Sequence, residues 1–92
     1  MRESVIEAYL VKRVKGAGGT AYKFVSPGRR NVPDRLVVFP GGNMYFVELK
    51  APRKELRSGQ ARERQRLEAL GCRVEVAATK EDVDIWIDGL TT

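Results

Sequence analysis

Two apolar runs, Leu36 to Phe39 and Met44 to Leu49, are separated by Pro40-Gly41-Gly42-Asn43, and this stretch leaves the chain few ways to fold. A Pro-Gly-Gly-Asn segment suits a tight reversal, and the flanking runs carry the β-branched and aromatic residues of strands. The stretch predicts a β-hairpin. With a turn spanning Pro40 to Asn43, Asp34 falls opposite Leu49, beside both Glu48 and Lys50. Alternation puts Glu48 and Lys50 on one strand face, about 6.6 Å apart. Two acids and a lysine then converge on one small volume. The strands are apolar enough to be buried on both faces, so charges at their ends call for an explanation.

Around this hairpin the chain reads helix, strand, strand, strand, helix, strand, helix. Ser4-Val5-Ile6-Glu7 has the pattern of a capping box and leads into the periodic Leu10, Val11 and Val14, predicting a helix over 3–15 that Gly16, Gly18 and Gly19 end. Glu7 has two readings here, a cap folded back on Ser4 or a carboxylate bordering the inward stripe and aimed at a site beneath the helix. Thr20 to Val25 reads as a strand, broken by Ser26-Pro27-Gly28. Arg29, Arg30 and Asn31 follow as a polar loop, and the two arginines are natural phosphate contacts as well as ordinary surface residues. Past Ala51-Pro52, the cations Arg53, Lys54 and Arg57 approach a helix predicted over 58–70, closed by Gly71. Its apolar stripe, projected from Leu56 and Leu67, lands on Gln60, which either bonds the helix start or belongs to the site. Arg62, Arg64 and Arg66 give the helix a positive exterior. An alternating strand over 73–78 and a helix over 80–90, with Val83, Trp86, Ile87 and Leu90 on one face, complete the chain. A helical crossover between strands implies a parallel pair in an otherwise antiparallel sheet, so the fold class is α/β with a mixed central sheet.

Composition removes many chemistries. Ninety-two residues make one domain over 1–92, and no histidine is present, which excludes Ser-His-Asp triads and His-ligated zinc. A lone cysteine, Cys72, rules out an internal disulfide and a cysteine-built zinc site; it is expected to be buried. Nothing approaches the apolar length of a membrane span or a signal peptide, so a soluble intracellular protein is expected. The net charge of +5 is uneven: residues 1–79 hold sixteen Lys and Arg against eight acids, and residues 80–92 hold Lys80 against four acids. A polyanionic partner suits such a surface, although a solvated charged face is the plainer reading.

Two carboxylates and a lysine without histidine describe a site for a hard divalent cation. Asp34, Glu48 and the backbone carbonyl of Leu49 could hold Mg²⁺ or Mn²⁺, and Lys50 could orient a water or neutralise charge on a phosphate. A surface ion pair between Glu48 and Lys50 is the bland alternative.

The segments Val32-Pro33-Asp34-Arg35, Val47-Glu48-Leu49-Lys50 and Leu56-Arg57-Ser58-Gly59-Gln60, with the helix ending Leu70-Gly71 and an N-terminal helix bearing Glu7, resemble the PD-(D/E)xK nuclease superfamily. Within it they resemble the virus-type replication-repair nuclease (VRR-NUC) domain over nearly the whole chain. The resemblance implies a restriction-endonuclease-like core in which Asp34 and Glu48 ligate metal, Lys50 is the catalytic lysine, and Glu7 and Gln60 join the site. It also implies cleavage leaving a 5′-phosphate and a 3′-hydroxyl; DNA contacts are expected from the cations Arg29, Arg30, Arg35, Arg53, Lys54 and Arg57, and no small-molecule substrate or membrane is expected. Action on duplex or branched DNA such as four-way junctions, by a homodimer in the cytoplasm of a bacterial or phage-infected host, is the further expectation. Gly59 departs from what a helix start favours and makes Gln65 a substitute for Gln60. A non-catalytic nucleic-acid-binding module, or a subunit of a larger replication or repair complex, is the rival reading.

Overall fold

The computed structural model describes residues 3–90. Helix α1 (Glu3–Gly16) leads into strands β1 (Thr20–Lys23), β2 (Arg35–Phe39) and β3 (Asn43–Leu49), followed by α2 (Ser58–Ala69), β4 (Val74–Ala77) and α3 (Lys80–Leu90). The four strands form one sheet in the order β1-β2-β3-β4, antiparallel except for the β3–β4 pair, whose connection is α2. The element order and the mixed sheet agree with the sequence.

Every fourth residue of α1 makes the core. Ile6, Leu10 and Val14 are fully buried and meet Val37, Val47 and Leu49 from the sheet and Val83 and Ile87 from α3. Strand alternation turns Glu48, which lies between Val47 and Leu49, to the opposite face, the one α2 covers. The two helical layers therefore differ in what they enclose: α1 and α3 cover the apolar core, and α2 covers a carboxylate. Trp86 packs edge-on against Phe39 and Tyr45 beside that core. Cys72, expected to be buried, is half-exposed, because it follows Gly71 in the turn out of α2.

One detail of the hairpin differs from expectation. Phe39 pairs with Asn43 and Arg35 with Val47, leaving Pro40, Gly41 and Gly42 as a three-residue loop in which both glycines have positive φ. The side-chain amide of Asn43 donates to the Pro40 carbonyl at 3.1 Å and fastens the loop. The ladder is therefore one residue out from the predicted register. Continued one step, it brings Asp34 opposite Glu48 instead of Leu49.

Candidate active site

Asp34 lies just before β2, and its Oδ2 accepts a hydrogen bond from the backbone N–H of Leu49 at 2.8 Å. That bond ties the loop preceding β2 to the end of β3. Pro33 beside it is fully buried, and the carbonyl of Asp34 accepts from Phe24 N–H at 3.0 Å, so the residue is held from both sides. Glu48 is 3% exposed, an unusual position for a carboxylate. Gln60 reaches it from the first turn of α2: its Nε2 donates to Glu48 Oε1 at 3.0 Å, while its Oε1 accepts from the backbone N–H of Arg57 at 3.1 Å. Gln60 thus bonds the helix start and touches the Glu48 carboxylate at once, and the helix starts at Ser58 as expected, with Gly59 inside its first turn.

Burial pushes the Glu48 carboxyl up to about 8, and the nearby charge of Asp34, a hydrogen bond with Asp34, and the charge of Glu3 push the same way; only Arg57 opposes them. Two carboxylates in one partly dry volume resist ionising together, and a cation between them would remove the penalty. The donor chemistry suits a hard divalent ion: two carboxylates and the Leu49 carbonyl, all oxygen. Among the described residues, no three acidic, sulfur or imidazole side chains stand close enough to share one. An ion held here would draw the rest of its shell from water and phosphate, as magnesium commonly does.

Lys50 follows on the same strand face as Glu48, but its ammonium donates to the backbone carbonyls of Lys54 and Ala51 and forms no ion pair with Glu48. It lines an open cleft of about 390 Å³ together with Glu3, Lys54, Arg57 and Gln60.

The structure does not bring Glu7 to this cluster. Its carboxylate accepts from Arg35 Nε at 2.8 Å and Lys23 Nζ at 3.0 Å. Burial would raise its pKa, but these two cations outweigh burial and hold it below the ordinary range. The capping alternative also gives way, since Ser4 already lies inside α1. Arg35, expected on DNA, is instead used by Glu7 and by the Ala21 carbonyl at 3.1 Å, with a side chain only 20% exposed. Lys54 and Arg57 are exposed at the cleft, Arg53 is exposed in the loop before α2, and Arg29 and Arg30 are exposed in the loop leading to Asp34.

Two residues escaped the sequence reading. Glu3, one helical turn before Glu7, lines the cleft and raises Glu48; an acid in a first helical turn has a sufficient local explanation, which hid it. Glu63 on α2 is 7% exposed and bonded to Arg29 and Arg66. The arginines around it in the sequence were a visible signal that was read only as a positive exterior.

Comparison with known proteins relates nearly the whole chain to nucleases. A curated phage protein, "Putative nuclease p44" of Acyrthosiphon pisum secondary endosymbiont phage 1, is 53% identical over 81 residues, covering 88% of this chain and 87% of its own. A solved structure described as a VRR_NUC domain superposes with a TM-score of 0.89 at 32% identity, covering 94% of each chain. No family profile matches this chain.

Proposed function

The chain belongs to the virus-type replication-repair nuclease family and is a nuclease, and we propose that it is a Mg²⁺- or Mn²⁺-dependent endodeoxyribonuclease. The observation that carries this reading is Glu48, buried under α2 beside the half-buried Asp34: burial first, and the charge of Asp34 second, raise its carboxyl to about 8, a penalty that a divalent cation would relieve. Asp34, Glu48 and the Leu49 carbonyl are the residues that would hold the ion. When bound, it supplies Lewis acidity toward a phosphodiester and lowers the pKa of water.

The remaining work falls to the chain. Gln60 orients the Glu48 carboxylate through its Nε2 and is itself held by the Arg57 backbone, so Glu48 keeps one fixed rotamer. The N–H of Leu49 occupies Asp34 Oδ2 and fixes the carboxylate beside Glu48. Lys50, braced on the Lys54 and Ala51 carbonyls, presents a positive charge at the cleft wall where the phosphate oxygens gain negative charge. Water attacks phosphorus, the bond to the 3′-oxygen breaks, and the products are a 5′-phosphate and a 3′-hydroxyl.

Branched DNA, such as a four-way junction, is the substrate we favour, cut by a homodimer whose two-fold axis sets two sites for symmetric nicking. Support comes from the sheet face that α2 leaves open over β1 to β3, where Tyr22 and Met44 are 57% and 47% exposed. Nicking of supercoiled plasmid and of a synthetic junction, with Mg²⁺ or Mn²⁺ against EDTA, tests the reading with Asp34→Ala and Lys50→Ala as variants. Metal-independent activity, or full activity in both variants, refutes the mechanism. A monomer at micromolar concentration that cuts linear duplex and junction equally refutes the junction assignment alone.

A further inference from the structure

A groove outside the carboxylate site is built from arginines of two elements. Arg29 and Arg30, in the loop before β2, stand beside Arg62 and Arg66 on α2, around an open depression of about 430 Å³. The buried Glu63 lies between them, accepting from Arg29 Nη1 at 3.2 Å and from Arg66 Nε and Nη2 at 3.2 and 2.9 Å. One acid among four arginines leaves a local balance of +3. Arg30 and Arg62 are exposed and, among the described residues, form no ion pair. Glu63 fixes the planes of Arg29 and Arg66 without exhausting their five donors each.

The backbone is shaped to keep the two halves together. A side chain at Gly59 would place its Cβ 2.5 Å from the Asn31 amide nitrogen, and Asn31 itself sits at φ 62°. The glycine at the helix start, out of place on propensity, leaves space for the Asn31 side chain against the first turn of α2. Asn31 is also three residues from Asp34, at most about 10 Å of chain, a span of no more than about three base pairs along a duplex.

We propose that this groove binds the phosphodiester backbone of the nucleic acid flanking the bond to be cut, with Arg30 and Arg62 contacting phosphates directly and Glu63 acting as a positioning residue for Arg29 and Arg66. The assignment rests on the nuclease reading above and adds to it where the strand runs. Preformed, forked guanidinium donors with surplus charge match phosphate oxygens, and a rigid frame spares the entropy of ordering long side chains on binding.

The test measures binding of a labelled DNA duplex by fluorescence anisotropy across a salt series, in EDTA so that nothing is cut. The parent chain is compared with Arg30→Ala/Arg62→Ala and with Lys12→Ala/Lys15→Ala, which removes the same charge from α1. Neither groove arginine supports a buried group, and a thermal melt of each variant verifies its fold. The groove variant is expected to lower the slope of log K against log salt by about 1.8, roughly 0.9 per lost phosphate contact, and to weaken binding about tenfold or more; the α1 variant leaves the slope unchanged. Equal slopes for the groove and α1 variants overturn the proposal, as does a parent that binds no nucleic acid. Plasmid nicking by the parent with Mg²⁺ is scored separately: nicking with a slope insensitive to the groove removes this inference and keeps the nuclease mechanism, and the reverse pattern removes the mechanism and keeps the groove.

Discussion

At the residue scale, Glu48 decides most of the behaviour. A carboxyl raised to about 8 in the fold from an ordinary 4.5 binds more protons folded than unfolded between those values. The metal-free protein therefore loses stability as pH climbs through that window. Glu48→Gln keeps the shape and an oxygen for Gln60 Nε2 but cannot ionise. We expect this variant to be inactive yet more stable than the parent at pH 8 without metal, on the order of 2 kcal/mol by thermal melting, with the difference shrinking toward pH 5. An equal or lower melting temperature at pH 8 contradicts the claim that burial and the Asp34 charge penalise an ionised Glu48. The same ionisation governs metal uptake. Below about pH 8 a proton must leave before a cation enters, so the Mg²⁺ concentration giving half-maximal nicking should rise about tenfold per unit of falling pH. A midpoint that does not move between pH 6 and 8 argues against Glu48 as a ligand.

At the element scale, the fold depends on where helices meet strands. The turn from α1 into β1 passes Gly19 so close to β2 that an added Cβ would lie 2.5 Å from the Val38 carbonyl oxygen and 3.2 Å from Val14. A backbone oxygen within a paired strand cannot step aside. Gly19→Ala is therefore expected to cost about 2 kcal/mol or more and to lower the melting temperature by about 10 °C. Retained stability would mean that α1 slides on the sheet. The tie between α1 and α3 is electrostatic as well as apolar, since Arg13 bonds Asp84 and Asp88 across the two helices and Tyr9 donates to Asp84 at 2.7 Å. This explains why the acidic C-terminal segment does not oppose the basic body: two of its carboxylates are used internally.

At the scale of the whole molecule, charge and topology divide the surface. Most cations lie on the loops around the carboxylate pair and on α2, while α3 carries Glu81, Asp82, Asp84 and Asp88. Nucleic acid should approach from the α2 side. Charge reversal at the exposed Glu81 is expected to leave duplex affinity within about twofold at physiological salt, where screening limits reach to about 8 Å. A large gain from Glu81→Lys would place the strand across α3 instead. The order of elements, the mixed sheet, the hairpin and the α3 stripe were legible from the sequence because they follow from local periodicity and turn chemistry. Asp34, Glu48 and Gln60 were legible as a group because a hairpin and one helical crossover confine where their side chains can go. The partners of Glu7, Arg35 and Lys50 were not legible. Each is a long side chain with several oxygens or donors in reach, and its choice depends on distances across elements far apart in the chain. The hairpin register moved by one residue because Pro40 joins Gly41 and Gly42 in a three-residue loop that the Asn43 amide closes on the Pro40 carbonyl. Sequence alone determined which elements form and which acids share a strand end, since both are set by neighbours along the chain. Only the tertiary structure decided that Glu48 is buried beneath α2, that Glu7 faces away to Arg35, and that Glu63 holds two arginines in place, since burial and ion pairing are settled by what packs from elsewhere.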